Sequence, residues 1–143
     1  MNSMLNQMNA NTIACRTAAD KAERTFNRIG QRVASANAVV NWAVNQLTVV
    51  KKAKRGVAWA VAQMGSKSVS VEEAEAEIVA AKEAMRLEDD AWNEALERHE
   101  ELWKVYLVAF KAEEDAKKAV EEEDLDEVYA EARESARYWD SAY

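Results

Sequence analysis

The chain of 143 residues carries 19 Lys and Arg against 26 Asp and Glu, a net charge of −7, and it has no proline, three glycines and 28 alanines. That length suits one domain and that composition suits helices. One histidine and one cysteine cannot build a Cys/His zinc site, a pair of metal-binding histidines or an internal disulfide, so most metalloenzyme classes are excluded.

The start, residues 1–11, is rich in Asn and Met and lacks the basic and apolar blocks of a signal peptide. No long uncharged apolar run reads as a transmembrane segment. The expectation is a protein of the cytoplasm or of a virion interior.

From Leu5, steps of three and four pass through Met8, Thr12, Cys15, Ala19, Ala22, Phe26, Ile29, Val33, Ala36, Val40, Ala43, Leu47, Val50, Lys54, Val57, Val61 and Met64. Only Thr12 and Lys54 are polar, which is the heptad pattern of a coiled-coil helix over about 5–64. Gly30 and Gly56 lie off this stripe and read as bends or weak stops. If unbroken, such a helix would make a rod about 85 to 90 Å long.

Gly65-Ser66-Lys67-Ser68-Val69-Ser70 is the clearest turn, and Ser70 with Glu73 fits a capping box. A second register then runs Val71, Ala74, Ile78, Ala81, Met85, Glu88, Trp92, Ala95, His99, Leu102, Tyr106, Ala109, Glu113, Ala116 and Val120, predicting a helix over about 71–120. Large residues dominate one heptad position and alanine the other, so the helices can approach closely. A short loop makes them antiparallel neighbours. A turn centred on 65–70 would set residue i opposite roughly 135 − i.

After Glu121-Glu122-Glu123-Asp124, the apolar pattern Leu125, Val128, Tyr129, Ala132, Ala136 and Trp139 suggests a short third helix over about 124–140 that folds back. The alternative is that it continues the second helix, since no Gly or Pro stops it. The fold class read from the sequence is all-α: a long antiparallel helical hairpin with a short C-terminal third helix, in one domain over 1–143.

Residues 1–70 hold ten bases and two acids, and residues 71–143 nine bases and 24 acids. In the expected hairpin Lys51 to Arg55 lie near Glu77 and Glu83, and Arg16 to Arg32 near Glu113 to Asp115, so the two halves neutralise one another. The run Lys51, Lys52, Lys54 and Arg55, flanked by Trp42 and Trp59, is also a candidate contact for an anionic surface. A pI of about 4.9 opposes a general nucleic-acid binder, while a membrane surface stays an alternative partner.

A second set on the first helix, Val39, Trp42, Val49, Ala53, Gly56 and Ala60, is also apolar or small and reads as an oligomer interface. His99 occupies a core heptad position, where a polar residue fixes register more often than it performs chemistry. Cys15, also on the stripe, reads as a small buried hydrophobe. No phosphate loop, nucleophile elbow or His-Glu-x-x-His motif occurs, so no catalytic residue, cofactor, metal or small-molecule substrate is expected. The resulting expectation is a non-enzymatic structural or assembly protein, a helical hairpin that oligomerises as scaffold, spacer or shell component. The alternatives are a membrane-interacting translocated protein and an acidic module that inhibits a basic partner.

Overall fold

The structure is a computed structural model that describes the backbone of residues 2–142 and the side chains of residues 3–139. It is all-α: α1 spans Asn2–Lys54, α2 Ala58–Met64 and α3 Val71–Ala142. No strand is present among the described residues.

The heptad stripes are the protected faces. On α3 every stripe position from Val71 to Val120 is buried or half-buried, and on α1 every one from Leu5 to Val50 is as well. Among them Ala19, Ala22, Ala43, Val50, Ala74, Ala81 and Tyr106 are buried. Alanine at every other layer lets backbones approach, which is why the most enclosed positions are mostly small.

α1 stops earlier than its stripe. Gly56 takes φ +79°, the left-handed conformation that glycine adopts without steric cost, and Gly56 N–H and Val57 N–H donate to the carbonyls of Ala53 and Lys52. This pair of bonds is a Schellman closure, and it satisfies carbonyls that would otherwise be orphaned. The expected helix over 5–64 is therefore two helices. Gly65, at φ +59°, closes α2 with its N–H on the Val61 carbonyl. The expected cap of α3 is present, with Glu73 N–H donating to Ser70 Oγ at 3.1 Å.

The segment expected as a separate helix over 124–140 belongs to α3. Residues 117–127 contain neither Gly nor Pro, and nothing in them opposes a helical backbone.

The chain packs as two units, Ala22–His99 and Met1–Lys21 with Glu100–Tyr143. In the first, Phe26 packs against Trp92 in a tilted pair with ring centroids 5.2 Å apart and stacks on His99 at 6.2 Å, and Arg32 Nη2 reaches Glu88 Oε1 at 2.9 Å. In the second, Asn9 meets Glu113, Thr12 meets Ala109 and Arg16 meets Tyr106. Within each unit partners fall in α3 as they rise in α1.

Residue i pairs with about 121 − i, not 135 − i, because α2 and its flanking turns withdraw residues 55–70 from the pairing. The shift corrects the expected charge pairing. Lys51 to Arg55 come level with the Ser-rich turn before α3 instead of Glu77 and Glu83, and Arg16 meets Tyr106 instead of the acids near Glu113.

Gly30 sits against the Trp92 indole, where an added Cβ would lie 3.4 Å from Nε1, an ordinary contact. Gly30→Ala should thus raise the urea midpoint, with a gain of about 0.5–1 kcal/mol from helix propensity. A lower midpoint would mean that the indole depends on closer approach than this spacing gives.

Candidate functional site

The basic end of α1 is built by the Schellman closure, which turns the chain immediately after four cations. Lys51, Lys52, Lys54 and Arg55 are all exposed, and Lys52 Nζ lies 5.0 Å from the centre of the Trp59 ring, holding α2 to the end of α1 by a cation–π contact. Among the described residues none of the four has an ion pair. Beside them a groove of about 230 Å³ is lined by Val50, Ala53, Val61, Met64 and Val69 with Lys54 and Lys67.

The seam read from the sequence as an oligomer interface is divided by this turn. Val49 and Ala60 are only 7% and 0% exposed, so they are buried by the chain itself and cannot meet a second copy. Ala53 is half-buried in the groove and Gly56 forms the turn. Val39 and Trp42 remain exposed, Trp42 by 55%, and they are the part of the seam that is free for a partner.

His99 is half-buried against Phe26, at the core position its register gives it. A second groove in the same unit, of about 470 Å³, lies between Gly30, Val33 and Ala34 on α1 and Met85, Asp89 and Trp92 on α3. It is a mostly apolar gap left where glycine and alanine face large residues. Cys15 is half-buried with its thiol 3.8 Å from Asn11 Oδ1. Among the described residues no group of three or more His, Cys, Asp or Glu side chains could hold a metal, and no helix is long and apolar enough to cross a membrane.

In the other unit a polar cluster replaces an apolar core layer. Glu113 is buried, and Asn9 Nδ2 donates to its Oε1 at 2.8 Å while Lys117 Nζ lies 3.4 Å away. The Asn9 amide, the Thr12 hydroxyl and the Lys117 ammonium together hold the Glu113 carboxyl below the usual carboxylate range, against the opposing effect of burial. Next to it Arg16 Nη1 donates to Tyr106 Oη at 3.2 Å with its guanidinium over the ring.

Two apolar surfaces in this unit are largely exposed. Leu102-Trp103-Lys104-Val105-Tyr106-Leu107-Val108-Ala109-Phe110 has a single polar member and is apolar around the whole circumference, a pattern that normally marks a helix covered on all sides. Here Tyr106 is buried while Trp103, Val105, Leu107, Val108 and Phe110 are exposed. Periodicity alone marks Trp103 as lying off the stripe, while the rest of the band follows no single helical face. The second surface is the end of α3, where every residue from 121 to 139 is exposed, including Leu125, Val128, Tyr129 and Trp139. No family model, no curated protein and no solved structure matches the chain.

A folded-state pKa below the ordinary carboxyl value stabilises the fold above that value, and the contribution is lost as pH falls through the depressed one. Glu113→Gln should accordingly lower the urea midpoint near neutral pH, and the gap from the parent chain should narrow as pH falls below the ordinary carboxylate range. A gap that stays constant with pH would show that the cluster acts by shape alone.

Proposed function

We propose that this chain is a non-enzymatic structural or assembly protein, a helical element that associates with copies of itself as a scaffold, spacer or shell component. The observation that carries the reading is the amount of apolar side chain left in water along otherwise regular helices. Trp42, Trp103, Val108, Leu125 and Trp139 are among the exposed large hydrophobics in the two units. Isolated exposed residues are ordinary, but an apolar band around a helix and a contiguous stripe along one are the marks of interaction surfaces. Tryptophan and tyrosine, prominent among them, are the residues that most often anchor interfaces.

Sedimentation velocity over a concentration series tests this. The reading expects the mass to rise with concentration above the 16.1 kDa of one chain. A single species of that mass at all concentrations would overturn it.

A second reading is favoured by one feature, the four exposed cations at the end of α1 beside Trp59. Cations next to an interfacial tryptophan suit an anionic lipid surface. Flotation with vesicles containing phosphatidylserine at low salt should then recover the chain, and charge reversal of Lys51 and Lys54 should abolish recovery. No flotation of the parent chain would remove this reading.

A further inference from the structure

The apolar face of α3 changes sides at Glu121–Asp124. Through Tyr106, Ala109, Glu113, Ala116 and Val120 the helix presents the stripe that is buried or half-buried. Continued in the same register, that stripe would pass through Glu123, Glu127, Ala130, Glu134 and Arg137, which are mostly charged. The apolar residues fall instead at Leu125, Tyr129, Ala132, Ala136 and Trp139, a heptad series of its own turned about 150° around the helix from the first. A helix lying on the buried face cannot cover it. Leu125 is 53% exposed, and Tyr129 and Trp139 are each 61% exposed.

We infer that this second stripe is the contact with a second copy of the chain, in which two segments over 121–139 pair antiparallel about a twofold axis. The inference rests on the self-association proposed above and names its surface. Three features of the stripe fit this occupant.

The first is size. Antiparallel pairing that sets Leu125 opposite Ala136 of the other copy also sets Tyr129 opposite Ala132, and the twofold repeats both layers. Both of these layers then join a large residue to an alanine, the same combination that α3 uses on its buried face, while Trp139 falls opposite Glu122 at the edge of the paired segment.

The second is charge. In that register Asp126, on one flank of the stripe, comes beside Arg133 on the same flank of the other copy, and the axis makes the pair twice. Among the described residues neither Asp126 nor Arg133 has an ion pair, and Arg133 Nε donates to the Tyr129 carbonyl at 3.3 Å.

The third is where the remaining acids lie. Glu123, Asp124, Glu127, Glu131 and Glu134 project from the side of the helix away from the stripe, so most of the segment's negative charge stays in water when the stripe is covered, and Glu122 ends the stripe on its N-terminal side.

The test is sedimentation of the full-length chain as parent, Leu125→Glu, Asp126→Arg and Arg133→Asp, with circular dichroism to confirm that helix content is kept. Leu125→Glu should weaken the dimer at least about tenfold, since it puts a charge in two apolar layers. Asp126→Arg and Arg133→Asp each place like charges at both cross pairs and should weaken self-association. An equimolar mixture of those two variants should recover parental dimer strength, because both cross pairs become Arg against Asp in the mixed dimer and in no other arrangement. Three results would overturn the inference. These are association indifferent to Leu125→Glu, a mixture no stronger than its components, and association lost on substituting Trp42 while the three C-terminal variants behave like the parent. A parent chain that stays monomeric removes both this inference and the proposed function. A parent chain that assembles while the C-terminal variants change nothing removes this inference alone.

Discussion

Close approach of α1 and α3 at alanine layers is the constraint on which the other features of each unit depend. Ala74, Ala81, Ala95, Ala109 and Ala116 alternate on α3 with Ile78, Met85, Trp92, Tyr106 and Val120, so large side chains lie over small ones. Such a seam is one layer thick. It encloses alanines and leaves the outer parts of Phe26, Met85 and Trp92 half-buried, because a pair of helices has no third element to cover them. Gly30 belongs to the same seam, since the Trp92 indole packs against it at a distance that would leave an added Cβ in ordinary contact.

Most polar groups on the seam are answered locally. Arg32 reaches Glu88 Oε1, leaving the buried Oε2 without a hydrogen-bond partner among the described residues, Thr12 donates to the Met8 carbonyl at 2.9 Å, and Glu113 is held by Asn9 and Lys117. A buried carboxylate with one partner removed would be costly, whereas one with several hydrogen bonds is tolerated and constrains register, since a one-turn slip would strand it. Asn9 and Glu113 specify the alignment of their two helices in a way that alanine against valine does not.

The stripes themselves were legible in the sequence because apolar periodicity follows from helix geometry and needs no knowledge of the partner. The cap at Ser70 was legible for the same local reason. What could not be read was the length of the connection. A glycine with weak propensity at position 56 can be carried inside a helix or can end it, and the choice depends on the carbonyls of Lys52 and Ala53 finding donors and on Trp59 reaching Lys52. That single decision moved the register and removed Glu77 and Glu83 as partners of the basic run. It also buried Val49 and Ala60, two members of the seam that periodicity alone assigned to a second copy. The fate of residues 121–139 was undecidable for a different reason, since an amphipathic pattern shows that a face is to be covered and not by which chain.

The relative weights of apolar layers and ion pairs divide the roles on the C-terminal stripe. An exposed ion pair contributes about 0.2–1 kcal/mol, while covering a Leu or aromatic side chain contributes about 1.5–3 kcal/mol. Affinity between copies therefore comes from Leu125 and Tyr129, and the Asp126 and Arg133 pairs act mainly on direction. Parallel pairing would set tyrosine against tyrosine and alanine against alanine, giving an overfilled layer and an empty one. Antiparallel pairing fills the Leu125 and Tyr129 layers to the same depth and gives both flank charges a counterpart, so size and charge select the same orientation.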